Sequence, residues 1–144
     1  MAQFHLAFEN GGLLGALRYL NARTTFRYTA IYRLDGQMMR NILLFDRDGE
    51  NSTSLSELPL GDSFCQFVMR DNGFNTANSA DDIRLLGHPY QGVLNSYFGL
   101  RLSRKAGTIY GTFCHFDAQP MEIADSEIAF LEAVSTLLMD QLDR

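Results

Sequence analysis

Apolar residues first recur at helical spacing. Leu13, Leu17 and Leu20 follow Asn10-Gly11-Gly12, which is read as the opening of a helix. The period then drops to two. Phe26, Tyr28, Ala30, Tyr32 and Leu34 alternate with Arg27, Thr29, Ile31 and Arg33, as in a strand. Asp35-Gly36 is a hairpin turn signal, and Met39 to Phe45 reads as the paired strand. A polar stretch from Asp46 to Glu57 reads as a loop. Ser63 and Gln66 have the spacing of a capping box, which predicts a short helix with Phe64, Phe67 and Val68 facing inward. Asn72-Gly73 should close that helix, with Gly73 left-handed. Phe74 to Ala77 suggests a short strand, and Ser79 with Asp82 a short helical turn ending near Gly87. Ser96–Ser103 and Thr108–Phe116 read as a hairpin joined through Arg104-Lys105-Ala106-Gly107. Asp125 is placed to cap a last helix, on which Ile128, Leu131, Ser135, Leu138 and Leu142 mark one face and Ala129, Val134 and Met139 widen it. Terminal helices around an antiparallel sheet imply an α+β fold.

Length and composition narrow the class. The 144 residues suit one domain, and 46% hydrophobic with 20% charged residues is ordinary for a chain with a buried core. The 11 Phe and 6 Tyr allow either an aromatic core or an aromatic-lined pocket. A net charge of −5 without any basic stripe argues against nucleic acid as a partner. No apolar run approaches the roughly 20 residues that span a bilayer, and Met1-Ala2-Gln3-Phe4-His5 does not open a secretion signal, so a cytoplasmic location without a membrane partner is expected. Cys65 and Cys114 form no CxxC and no zinc framework. In a reducing compartment they are not expected to be bridged.

The C-terminal half carries a pattern: Ser96-Tyr97-Phe98-Gly99-Leu100-Arg101-Leu102, Gly107, Gly111-Thr112-Phe113-Cys114, Phe116-Asp117, Pro120, Glu127 and Leu131-Glu132. Upstream stand Ser63-Phe64-Cys65, then Asp81-Asp82-Ile83-Arg84 with His88-Pro89. This resembles the GAF domains of bacterial sensors over the whole of residues 1–144, taken as a single domain. The resemblance implies a twisted antiparallel sheet of five or six strands with terminal helices on one face. On the other face, short helices and loops would enclose a ligand pocket. It also implies small-molecule sensing, signalling through a separate partner chain, and a homodimer paired through the terminal helices. Two departures matter. The N-K-x-D-E-like signature of cyclic-nucleotide binders is absent. The Cys-His dipeptide of bilin-binding members is present as Cys114-His115, but within the strand where ordinary members also carry that cysteine. No covalent cofactor is therefore expected, and which ligand is held stays open.

Seven residues are candidates for ligand binding, each beside a plainer role. Cys65, at the start of the short helix, would have a lowered pKa if helix amides reach its thiolate; otherwise it packs as a small apolar residue. Cys114 shares a strand face with Tyr110, Thr112 and Phe116, which suits core packing. His88 lies in the expected pocket wall, where it can meet a ligand carboxylate or haem iron, or merely end a turn. Arg84, with Asp81 and Asp82, can pair with an anion or form a surface ion pair. Tyr97, next to Gly99 on its strand, offers a flat ring and one hydroxyl. Phe67, with Tyr28, Tyr32, Phe45 and Phe64, either lines a cavity or is core. No metal site, phosphate loop or Ser-His-Asp order is visible.

Three functions compete. The first is a ligand-sensing module. The second is an enzyme like the stand-alone GAF proteins that reduce free methionine sulfoxide, with Cys65 as its only candidate catalytic residue. The third is a non-catalytic interaction module. A collapsed interior would favour the third, and a polar-lined cavity would disfavour it.

Overall fold

The computed structural model describes residues 2–49 and 57–142. Its strands are β1 (Tyr28–Asp35), β2 (Met38–Asp46), β3 (Glu57–Pro59), β4 (Phe74–Thr76), β5 (Ser96–Ser103) and β6 (Ile109–Asp117). They form one antiparallel sheet in the order β3-β2-β1-β6-β5-β4. Helices α1 (Ala2–Ala22) and α3 (Asp125–Leu142) cover one face, and α2 (Cys65–Asp71) lies on the other.

β1 and β6 run through the middle of this sheet, so their alternation separates two buried faces rather than a wet one from a dry one. Ile31 and Phe113 enter the helix-side core with Leu17, Leu20, Leu131 and Leu138. Ala30, Tyr32, Cys114 and Phe116 enter the opposite core with Cys65 and Val68. Near the start of β6 the register slips: Ser103 pairs with Ile109, but Leu102 pairs with Gly111. Tyr110 is the extra residue of this bulge and packs on the helix side. It therefore does not share the face of Thr112 and Cys114, as simple alternation predicts. Gly111 follows, because any side chain there would run into the Tyr32 carbonyl.

Several local expectations change. The first helix begins at Ala2 rather than at Asn10, and Gly12 (φ 64°, ψ −155°) breaks it. No capping box forms: the Ser63 hydroxyl donates to the Leu60 carbonyl, while Gln66 donates to the carbonyls of Gly61 and Ser63. Asn72, not Gly73, takes the left-handed position after α2, at φ 61°. The polar loop ends earlier than read, since Glu57 already belongs to β3; residues 50–56 lie outside the described residues.

Polar groups tie the helix layer to the sheet. Arg23 reaches both carboxylate oxygens of Glu127, at 3.0 and 2.9 Å, joining the end of α1 to the start of α3. Arg47 donates to Oδ1 of Asn21 and to the carbonyls of Asn21 and Thr24. Asn21 in turn donates to the Phe26 carbonyl and the Thr29 hydroxyl, and that hydroxyl meets Nδ1 of His115.

Candidate functional site

The site grows from the middle of the sheet. On β6, alternation brings Thr112, Cys114 and Phe116 to the face opposite the terminal helices. Across the ladders stand Tyr32, opposite Thr112, and Tyr97, opposite Phe116. Gly99 lies two residues beyond Tyr97 on the same face. A Cβ there would come within 2.7 Å of the Tyr97 ring and hydroxyl, so the glycine lets the ring lie flat along β5. The hydroxyl thereby reaches 3.5 Å from Sγ of Cys65, which α2 sets over the sheet. Cys65 Sγ also lies 3.5 Å from Oγ1 of Thr112.

Residues 79–94 roof this cluster. Two short 3-10 turns, Ser79–Asp81 and Ile83–Leu85, lead into a run of turns. Their hydrogen bonds run largely within the segment: Asp82 accepts from Arg84 N, Gln91 donates to the Asp82 carbonyl, and Gly92 N donates to the Ser79 hydroxyl. Leu85, His88 and Tyr90 pack inward, with the His88 and Tyr90 rings 4.7 and 6.5 Å from that of Phe64. Between roof and sheet remains a cavity of about 20 Å³, lined by Tyr32, Cys65, Tyr90, Leu94, Tyr97 and Cys114 among others. That is room for about one water molecule.

The electrostatics of the cluster are those of an uncharged interior. Burial pushes the Cys65 thiol up, outweighing its bonds from Thr112 and Tyr97. It raises Cys114 and Tyr97 well above their ordinary values, and raises Tyr32 as well. The lowered pKa expected for Cys65 from its place at a helix start is thus reversed. The helix has only seven residues, and a fully buried thiolate costs more than its few amides return. At neutral pH every one of these groups is protonated.

The seven candidates therefore separate. Cys65, Tyr97 and Cys114 converge on the cavity. Phe67 lies on the outer side, its ring 4.9 Å from Phe74 and 5.8 Å from His88. His88 accepts from the Tyr90 amide at Nδ1, which leaves the proton on Nε2, a buried atom without a partner. Asp81 and Arg84 instead border an open groove of about 560 Å³ beside β4. There Arg84 pairs with Asp82, donates 2.8 Å to the Asn75 carbonyl and sits over the Phe74 ring. Phe45 packs on the helix side, away from the cavity. Cys114 and His115 point to opposite faces: Cys114 toward the cavity, His115 toward Phe26 and Phe113. Among the described residues no group of three or more His, Cys, Asp or Glu is placed to hold a metal, and no helix is long and apolar enough to cross a membrane.

A six-stranded sheet with terminal helices on one side and a roofed cavity on the other matches a known architecture. The GAF domain of an Acinetobacter phosphoenolpyruvate-protein phosphotransferase superposes with a TM-score of 0.72, covering 92% of this chain and 80% of that one at 18% identity. The chain has the GAF fold. A type II free methionine-R-sulfoxide reductase from Thermoplasma acidophilum also superposes, with a TM-score of 0.72, 15% identity and coverage of 96% and 93%. So does the chromophore-binding domain of a bacteriophytochrome from R. palustris, at 0.76, 10% identity and coverage of 97% and 59%. No family model and no curated protein matches the sequence. Tyr90 and Leu94, which line the cavity, carry no sequence signal, because they lie in a segment without periodicity. Thr112 stands outside the lining and joins the cluster only through its contact with Cys65; alternation gives its face but not that contact.

Proposed function

We propose that this chain is a non-catalytic sensory domain of the GAF fold, which takes a small uncharged ligand beneath the 79–94 roof and passes the change to a partner chain. The observation that carries this reading is the convergence of Cys65, Tyr97 and Cys114 on one cavity, where burial raises the pKa of all three and keeps them uncharged. A charged ligand entering there would lose its hydration without a counter-charge. Arg84, the cation expected to meet an anion, is paired with Asp82 on the surface instead. A 20 Å³ cavity requires the roof to move before anything larger than water enters. The roof suits that role, since it is bonded mainly to itself.

The same observation weighs against a reductase. A cysteine nucleophile needs its thiolate, and burial keeps Cys65 protonated. The likeness to reductases therefore rests on the backbone. The filled cavity supports a second reading, an interaction module in which α1 and α3 pair two copies and the opposite face is only core. Thermal melts with matched primary amides and carboxylates separate the two. Sensing predicts that at least one amide raises Tm more than its carboxylate, and that Cys65→Leu, which fills the cavity, removes the rise. Stabilisation by no compound favours the interaction module, and stabilisation by carboxylates alone overturns the uncharged ligand.

A further inference from the structure

α1 is not one rod. In an unbroken helix Gln3 and Tyr19 would stand about 24 Å apart, yet the Tyr19 hydroxyl donates to Oε1 of Gln3 at 3.3 Å. Residues 2–11 therefore fold back along residues 13–22. Phe4 is buried in the helix-side core beside Leu17 and Leu20. The two arms touch closely, since a Cβ on Gly15 would come within 2.7 Å of the Ala7 carbonyl oxygen. The turn rests on Gly12 at φ 64° and ψ −155°, a backbone state that essentially only glycine occupies. Both arms are helical up to that residue, and a straight α1 would gain the intrahelical hydrogen bonds that the break gives up.

We infer that Gly12 is an exchange hinge: with α1 straightened, residues 2–11 dock on a second copy of the chain, and Phe4 fills the same pocket there that it fills in its own chain. The occupant follows from the structure. The arm's groove is built for this arm, so another copy supplies the same contacts without any new complementarity. The turn is a single residue with helix on both sides, so straightening that one residue carries the whole arm away from its own chain, as exchange requires. The inference is independent of any ligand beneath the roof.

The test uses the full chain carrying Gln3→Cys and Tyr19→Cys, with the free native cysteines replaced (Cys65→Ala, Cys114→Ala) so that only the introduced thiols react with a short bismaleimide. With Gly12 intact, the cross-link forms within one chain, and denaturing gels show a monomer. With Gly12→Ala added, the turn is penalised and the straight helix favoured. The dimer dissociation constant then falls at least about tenfold, and the cross-link joins two chains. Adding Phe4→Ser to Gly12→Ala removes the anchor and returns the protein to monomer. A Gly12→Ala protein that cross-links only within a chain, or stays monomeric whether folded or not, overturns the inference. So does a dimer that survives Phe4→Ser.

Discussion

The Thr29 hydroxyl lies 2.7 Å from Nδ1 of His115, and this contact fixes the state of a fully buried imidazole. Thr29 accepts from the Asn21 amide, so its own proton is free for Nδ1. Nδ1 is then an acceptor, the ring is neutral, and Nε2–H is buried without a partner. Burial first, and the nearby Arg47 charge second, lower the His115 pKa to about 3.

Stability should therefore fall with acidification well before the carboxylates titrate. The unfolded imidazole takes up a proton near pH 6.5, and the folded one only near 3. Between these values the unfolded state binds more protons. The stability His115 contributes is present above pH 6.5 and is lost as pH falls, at up to about 1.4 kcal/mol per pH unit. Urea midpoints at pH 7, 6 and 5 should decline in the wild type and decline less in His115→Gln. Equal slopes would show that the imidazole is not buried neutral.

Gly99→Ala should disturb the site more than the sheet. The new methyl meets the Tyr97 ring and Cγ2 of Val68, both under 3 Å. The ring has to lift, which breaks its contact with Cys65. A loss on the order of 1–3 kcal/mol is expected, together with a changed near-ultraviolet tyrosine signal. Unchanged spectra would place Tyr97 elsewhere.

Gly111→Ala is expected to be worse, because the obstacle is the β1 backbone at Tyr32 rather than a side chain that can turn. Denaturant midpoints should report a loss of more than about 3 kcal/mol, or no folded protein. A midpoint near wild type would mean the β1–β6 pairing is misplaced.

Arg84 guards a sheet edge. Its guanidinium, held by Asp82, covers the Asn75 carbonyl on β4, the last strand of the sheet. Hydrogen bonding to Arg84 lowers the Asp82 carboxyl to about 2, so the pair persists through neutral and mildly acidic pH. Arg84→Ala should bare the edge and produce concentration-dependent association in light scattering. A variant as monodisperse as the wild type would show that β4 needs no cover.

Periodicity reveals the long elements of this chain because they bury extended faces. β5, β6 and α3 lie within a residue or so of where the pattern places them. The arm before Gly12 leaves no sign in the sequence, because Gly11-Gly12 reads as a helix start, whereas here Gly12 turns one helix back on itself. Cys65, Tyr97 and Cys114 are each legible as candidates, through their places on a helix start and two strands, but only the fold separates them as a group from the other four. Their protonation is not legible, since burial depends on the roof, and the roof has no period. Arg84 and Asp81 have suitable chemistry for a ligand, but only the three-dimensional path of residues 79–94 sends them to the outer groove.

The central claim is that the roof opens in the folded protein, and thiol labelling tests it without any ligand. Cys65 and Cys114 are free, and both face the cavity. Iodoacetamide, small and uncharged, should modify the native protein at least about tenfold faster than global unfolding allows. The rate should climb with pH beyond the ordinary thiol range, since burial raises both groups. Modification at the unfolding rate itself, equally slowed by anything that stabilises the whole fold, would mean that the cavity stays closed and that this face of the sheet is core alone.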